Sequence, residues 1–205
     1  MRINLKQRLY AVAALAGVVG VALAPLAVSA ATDSENTTIN ANLGSAISLT
    51  TTGTVTLNIT PVSGGSQTSA SDTVTVNTNN TGGYNLAVRD ADANTNLVNG
   101  VNNIAASGNS FATAGVLANN SWGWAVASGT PGIGGNGFDA SYATITNAPT
   151  SSTNWVGMTT SDQVFKSTSS VATNDTTTVW YSAKADTSNP NGTYTNVVTY
   201  TATTN

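Results

Sequence analysis

The chain contains no cysteine and no histidine. Without cysteine no disulfide can brace the fold, although many small exported domains depend on such bonds. Without histidine, the commonest general base and the commonest catalytic metal ligand are both missing. Charge is also scarce, at 7% of residues, against about 25% in ordinary globular domains. The fold must therefore rest on core packing, bound ions or neighbouring molecules.

Basic residues are particularly few, with six Lys and Arg in the whole chain against nine Asp and Glu. Arg2, Lys6 and Arg8 lie in the first eight residues, so only three basic residues follow them. Binding to nucleic acid requires clustered cations that neutralise phosphates. An anionic membrane surface attracts the same kind of cluster. The sequence therefore argues against nucleic-acid and membrane-surface partners.

The first thirty residues have the pattern of a secretory signal peptide. A basic start is followed by the uncharged, mostly Ala, Val and Leu run 9–28, which contains Pro25 and leads into a small-residue site ending at Ala30. This order of features is typical of a cleaved export signal. The alternative is a retained membrane anchor, since the apolar run is just long enough to span a bilayer. We expect residues 1–30 to be the signal peptide, residues 31–205 to form one extracellular or cell-surface domain, and the mature chain to contain no transmembrane segment.

The mature chain is rich in Thr, Val, Asn and Gly, which favours many strands joined by polar turns. Apolar and polar residues alternate in several short segments, and no segment after residue 30 shows an apolar stripe at helical spacing. We therefore predict an all-β fold, a single antiparallel β-sandwich of the immunoglobulin-like or jelly-roll-like kind. The clearest predicted strands are residues 54–60, 73–77, 84–88, 122–126, 177–183 and 194–202.

Two segments carry a resemblance to a known group of proteins. Residues 74–88, with Val74-Thr75-Val76 followed by a turn and Tyr84 to Val88, are predicted to form a hairpin. Residues 179–202 are predicted to form a closing hairpin around the turn at Asn191-Gly192. Both resemble hairpins of secreted bacterial cell-surface β-sandwich proteins, including wall-associated WxL-type domains, although the W-x-L motifs themselves are missing. The resemblance implies the sandwich fold and a cell-surface location.

The segment from Asp90 to Asn96 is the sharpest candidate site. Asp90, Asp92, Asn94 and Asn96 place oxygen ligands at alternate positions, as calcium loops do. Thr95 replaces the glycine of an EF-type loop, and no helix is predicted on either side. The alternative interpretation is an ordinary polar loop after the strand 84–88. Calcium is the one cofactor that the sequence suggests.

The tryptophans offer a second candidate site. Trp122 and Trp124 lie two residues apart, so both are expected on one face of a strand. Such a pair serves either as a stacking platform for sugars or as part of a sandwich core. Trp155 lies in the irregular region and is expected to be the more exposed aromatic residue. These three residues are the candidate ligand-binding set.

Catalysis has little support in the sequence. Carboxylates such as Asp139, Asp162 and Asp175 are scattered over predicted loops, whereas a glycosidase needs a pair about 5–10 Å apart. The G-x-G-x-x-G run at 132–137 lacks the following helix of a dinucleotide site. We therefore expect the protein not to be an enzyme.

The two final predicted strands carry the residues for one candidate covalent link. Lys184 and Asn196 are predicted on those strands, and Asp186 is close in sequence. An amide crosslink needs a lysine, an amide and an acid side by side. The alternative is a solvated lysine beside a turn.

These features together predict a non-catalytic structural or interaction protein of the cell surface, such as a coat, appendage or envelope component. Its expected partners are envelope components or further copies of itself. The alternative is an adhesin or carbohydrate-binding module, for which glycans would be the partners. Edge-strand pairing would mark the first function, and saturable sugar binding would mark the second.

Overall fold

A computed structural model describes residues 31–110, 113–126, 149 and 153–205 of the chain. The chain divides into two compact units, Met1–Asn42 and Leu43–Asn205. Within the first unit, residues 31–42 are exposed and have no regular secondary structure. The predicted signal peptide, residues 1–30, and the G-x-G-x-x-G run at 132–137 lie outside the described residues.

The described part of Leu43–Asn205 contains strands and no helix, as the alternating pattern predicts. The described strands are β1 Ile47–Thr50, β2 Ser66–Thr78, β3 Tyr84–Asp90, β4 Leu97–Asn99, β5 Asn102–Ala106, β6 Ser121–Val126, β7 Gln163–Ser167, β8 Ala172–Ala185 and β9 Val198–Thr204. They form two sheets, one of six strands in the order β1-β2-β8-β6-β5-β4 and one of three in the order β7-β3-β9. All ladders between these strands are antiparallel except that of β5 with β6.

One hydrophobic core takes side chains from both sheets. Val74 and Val179 come from the six-stranded sheet, whereas Leu86 and Phe165 come from the three-stranded one. Each of these four side chains is fully buried. The alternation of apolar and polar residues thus places one face of each long strand in a shared core, as the period of a strand requires.

The strand pairing differs from the two hairpins expected from the sequence. The turn at residues 79–83 forms, with Gly83 N–H bonded to the Asn80 carbonyl at 3.1 Å. It does not join ladder partners, however, because β2 pairs with β1 and β8 while β3 pairs with β7 and β9. Likewise β8 and β9 belong to different sheets. Both turns carry the chain from one sheet to the other.

Residues 54–60 were predicted as a strand, and they belong to no strand ladder. They keep the alternating burial of a strand, because Val55, Leu57 and Ile59 are half-buried against the core while the intervening Thr and Asn residues are exposed. The prediction of side-chain placement was therefore right and the prediction of sheet pairing was wrong.

Candidate functional site

The loop from Asp90 to Asn96 follows directly from the end of β3. Three successive side chains each accept the backbone N–H two residues further on: Asp90 Oδ1 from Asp92 at 3.1 Å, Asp92 Oδ1 from Asn94 at 2.6 Å, and Asn94 Oδ1 from Asn96 at 3.2 Å. These are Asx turns, which Asp and Asn form readily because their short side chains reach their own backbone. The alternate spacing of these residues therefore builds the loop itself.

Asn196, just before β9, closes the loop from the opposite side. Its Nδ2 lies 2.8 Å from Asp90 Oδ2, 3.2 Å from the Asn94 carbonyl and 3.0 Å from the Asn96 carbonyl. An amide nitrogen carries two N–H donors, so the three oxygens converge on one donor group. Asp90 is fully buried beneath this contact. The structure thus brings the carboxylate of Asp90, at the first loop position, together with the backbone carbonyl oxygens of Asn94 and Asn96, at the fifth and seventh positions.

Carboxylate and amide oxygens are the donors that Ca²⁺ takes in proteins. The loop supplies two carboxylates, from Asp90 and Asp92, and the described residues contain no group of three or more His, Cys, Asp or Glu that could hold a metal. Calcium binding here would therefore depend on the side-chain and backbone oxygens of Asn94 and Asn96 as well. It stays a hypothesis, and its test is given in the Discussion.

All three candidate tryptophans lie in the core. Trp122 is 3% exposed, and Trp124 and Trp155 are 0% exposed. The expectation that Trp155 is an exposed aromatic is therefore wrong: it lies against the end of β6, where Val156 and Trp124 exchange backbone hydrogen bonds at 2.9 Å. A ring buried to this degree presents no face on which a sugar can stack.

The two tryptophans of β6 connect the hydrophobic core with the 90–96 loop. The Trp124 ring meets Phe165 edge-on at a centroid distance of 5.5 Å, a favoured aromatic geometry. Trp122 packs against Tyr181 at 6.4 Å and donates its indole N–H to the Thr95 carbonyl at 2.9 Å. Trp122 therefore anchors the 90–96 loop through its backbone, which is a structural use of the side chain.

The sequence did not predict a buried polar cluster that joins β7 of the three-stranded sheet to β8 of the six-stranded sheet. Lys166 Nζ, whose side chain is 0% exposed, lies 2.6 Å from Asp175 Oδ1 and 3.0 Å from Thr177 Oγ1. The Tyr84 hydroxyl donates to Asp175 Oδ2 at 2.8 Å. We call these four residues the Lys166 cluster. Its ammonium is paired and hydrogen-bonded, which is the condition under which a buried charge is tolerated.

A bulge explains why a lysine lies in the core. Leu86 pairs with Lys166 and Ala87 pairs with Val164, so Phe165 is an extra residue in β7. A β-bulge re-aims the side chains next to it, and both Phe165 and Lys166 are buried. Strict alternation would place one of them outside, so no periodicity in the sequence signals Lys166.

Burial also changes the acidity of three tyrosines. It raises the pKa of the Tyr84 hydroxyl well above its ordinary value of 10.0, and the hydrogen bond to Asp175 adds to this effect. Burial likewise raises the pKa of Tyr181 and of Tyr200, whose hydroxyls are 2.6 Å apart. All three phenols are thus neutral hydrogen-bonding groups at physiological pH.

The remaining candidate groups serve turns and surface pairs. Asp186 accepts bonds from the side chain and backbone of Ser188 and from Asn120, and the Ser188 hydroxyl is the largest cause of its lowered pKa. Asp162 forms a half-exposed ion pair with Arg89 at 3.4 Å.

The residues of the proposed crosslink have other partners. Lys184 lies opposite Gln67 and Ser121 in the six-stranded sheet, whereas Asn196 is bonded to Asp90. No Lys184–Asn196 contact is formed in the described structure. Asp139 lies outside the described residues.

Among the residues that the structure describes, no helix is long and apolar enough to cross a bilayer. Comparison of the chain with protein-family models, curated proteins and solved structures finds no match.

Proposed function

We propose that the protein is an exported, non-catalytic structural or interaction component of a cell surface. Its body would be a single β-sandwich over residues 43–205, with residues 1–30 removed as a signal peptide. The support for the sandwich is the shared core, to which both sheets contribute fully buried side chains. The support for export is the basic start, apolar run and small-residue end of residues 1–30.

The observation that carries the non-catalytic assignment is that reactive groups are used to build the fold. Lys166, whose side chain is fully buried, is held by Asp175 and Thr177. Asp90 is held by Asn196 and by the loop backbone. A group that is buried and hydrogen-bonded within the protein stabilises one structure, whereas catalysis needs a group that substrate can reach.

The alternative function, an adhesin or carbohydrate-binding module, has two candidate sites, an exposed aromatic platform and the 90–96 loop. Trp122, Trp124 and Trp155 are buried in the core, so that platform no longer supports it. The structural function makes no such demand, because the surface of a coat or appendage subunit needs to pair with its neighbours rather than to enclose a ligand.

Cell fractionation tests the proposal. Cells that produce the full chain are separated into cytoplasm, membrane, wall and medium, and the protein is detected with an antibody. We expect it outside the cytoplasmic membrane with a mature N-terminus at Ala31 or within a few residues of it. Recovery of the chain from the cytoplasm with Met1 intact would contradict export. An intact Met1 on protein outside the cell would instead support the retained anchor.

A further inference from the structure

Residues 37–43, here called the donor segment, have the pattern of a strand without being one. Ile39, Ala41 and Leu43 alternate with polar residues, yet the segment forms no strand and no described hydrogen bond. Ile39 is 88% exposed and Leu43 is 84% exposed. A single exposed apolar residue is unremarkable, but alternation over seven residues is the signature of a strand with one buried face.

Residues 54–60, here called the acceptor segment, have a packed apolar face but lack the backbone hydrogen bonds of a strand. Their apolar face is packed on the core, but residues 53–59 make no hydrogen bond to any described residue. Side-chain contacts hold the two ends in place, from Thr52 to Asp72 and from Ser66 to the Thr60 carbonyl. The segment is thus a positioned strand with an unpaired backbone, which is a template for another strand.

We propose that the donor segment of one copy pairs with the acceptor segment of a second copy, so that the protein assembles head to tail. The inference deepens the proposed function, since it names the partner of a structural subunit. Each segment is seven residues long, uncharged and apolar at three alternate positions. Pairing would supply the missing backbone hydrogen bonds and continue the apolar face of the acceptor with Ile39, Ala41 and Leu43. No charge opposes it, although the chain is acidic overall.

The chain length argues for a second copy over self-pairing. If residues 44–46 reversed the chain, the donor segment would lie opposite residues 47–53 and would stop short of residue 54. Asn79 also holds this connection, because its side chain bonds the Gly44 carbonyl at 2.9 Å and the Ala46 N–H at 2.7 Å. A heterologous contact of this kind repeats from copy to copy and gives chains or rings.

The first experiment measures the oligomeric state of the mature protein, residues 31–205, by sedimentation over a hundredfold concentration range. We expect wild type to form multimers that grow with concentration. Ile39→Asp with Leu43→Asp should raise the concentration needed for assembly at least tenfold. The matched control, Asn40→Asp with Asn42→Asp, adds the same charge to the opposite face and should assemble like wild type. Equal loss in both variants, or a wild type that is monomeric throughout, overturns the proposal.

The acceptor is tested by Asn58→Pro, which removes one backbone N–H at an exposed position. It should weaken assembly at least tenfold, whereas Asn58→Ala should not. The melting temperature of each variant is measured in the monomer, so that a folding defect is distinguished from loss of pairing. Unchanged assembly of a folded Asn58→Pro variant would show that the acceptor segment does not pair with another copy.

Disulfide trapping identifies the partner directly, because the chain has no cysteine. Asn58→Cys protein is mixed in turn with Thr38→Cys, Asn40→Cys and Asn42→Cys proteins. We expect a covalent heterodimer in at least one mixture and none with Val101→Cys, a 96% exposed control position. A chain that carries both Asn58→Cys and Asn40→Cys tests self-pairing, and a disulfide that forms only within this chain at high dilution would overturn the proposal.

The two proposals can fail separately. A surface-located but monomeric protein would refute assembly alone, while an assembled cytoplasmic protein would refute export alone.

Discussion

Lys166 shows how a single side chain can depend on its neighbours for burial. Its ammonium is stable in the core because Asp175 and Thr177 accept its hydrogen bonds. The Tyr84 hydroxyl donates a hydrogen bond to the second carboxylate oxygen of Asp175. Removing Asp175 would leave the ammonium of Lys166 buried without its counter-charge, which costs far more than the net contribution of the intact pair. The pair links β7 of the three-stranded sheet to β8 of the six-stranded sheet.

A double-mutant cycle tests this argument. Asp175→Asn, which leaves the buried ammonium without its counter-charge, is expected to lower the free energy of unfolding by about 3–5 kcal/mol. Lys166→Met should cost less, because the side chain of Asp175 is 24% exposed and keeps its hydrogen bond from Tyr84. The double variant should lose less than the sum of the two. The matched control is the half-exposed pair of Arg89 with Asp162, where Arg89→Met should cost no more than about 1 kcal/mol. Denaturant unfolding measures wild type and the four variants. Additive losses at Lys166 and Asp175 would contradict coupling between them.

Trp155 offers a second test at the same scale. Emptying a fully buried Trp site costs about 3–5 kcal/mol, so Trp155→Ala and Trp124→Ala should both destabilise the protein strongly. Val101→Ala, at a 96% exposed position, serves as the control and should leave stability within about 0.5 kcal/mol. Thermal and denaturant melts give the comparison. A stable Trp155→Ala variant would mean that this ring is not part of the core.

Calcium binding by the 90–96 loop is tested by mass action. An ion that binds only the folded state stabilises it, by about 2.7 kcal/mol at a hundred times the dissociation constant. If Asp90, Asp92, Asn94 and Asn96 share an ion, millimolar calcium should raise the melting temperature. Asp92→Asn, which keeps an acceptor for the Asn94 N–H, should weaken that rise without unfolding the loop. A wild-type melting curve that is the same with calcium and with a chelator would contradict calcium binding. These residues would then serve only to form the Asx turns of the loop.

At the scale of elements, close approach of backbones decides where glycine is required. A Cβ on Gly157 would overlap the carbonyl oxygen of Ser107, and a Cβ on Gly123 of β6 would crowd the carbonyl of Val156. These contacts join the segment around Trp155 to β6 and to the chain after β5. A side chain at either position would push these elements apart.

Gly157→Ala should therefore destabilise the protein by about 1–3 kcal/mol or more, the usual cost of overpacking. Gly108→Ala is the control, since no atom lies within 4 Å of its Cβ position, and it should be neutral or slightly stabilising. Equilibrium unfolding of the two variants measures the difference. Equal stability would show that the segment around residue 157 is free to move away from Ser107.

At the scale of the whole molecule, the buried tyrosines couple folding to alkaline pH. The pKa values of Tyr84, Tyr181 and Tyr200 are raised above 10.0 in the folded state. Their contribution to stability is fully present below pH 10, where both states are protonated. It is lost as the pH rises above 10, because only the unfolded chain then releases these protons.

The free energy of unfolding should accordingly fall with increasing pH above 10, with a slope set by the number of protons released. Tyr84→Phe and Tyr200→Phe should each reduce that slope by about one proton, whatever they do to stability at neutral pH. Denaturant melts at successive pH values provide the slope, and tyrosinate absorbance shows when the phenols ionise. Ionisation of all tyrosines near pH 10 with the fold intact would contradict their burial.

The sequence by itself determined the all-β class and the inward-facing side chains of its most regular segment. Alternation is a local property with a period of two residues, so Val55, Leu57 and Ile59 could be placed on one face without knowing any partner strand. It also located the turn at 79–83 and the loop at 90–96, because Asn, Asp and Gly form turns through their own backbone.

Only the tertiary structure decided which strands pair and which polar groups are buried. Both predicted hairpins proved to be crossings between sheets, since partner choice depends on contacts far apart in the chain. A bulge at Phe165 turned Lys166 into the core, and the segment containing Trp155 was drawn against β6. Neither event leaves a periodic signal, because each depends on how one element fits against another rather than on the residues of that element alone.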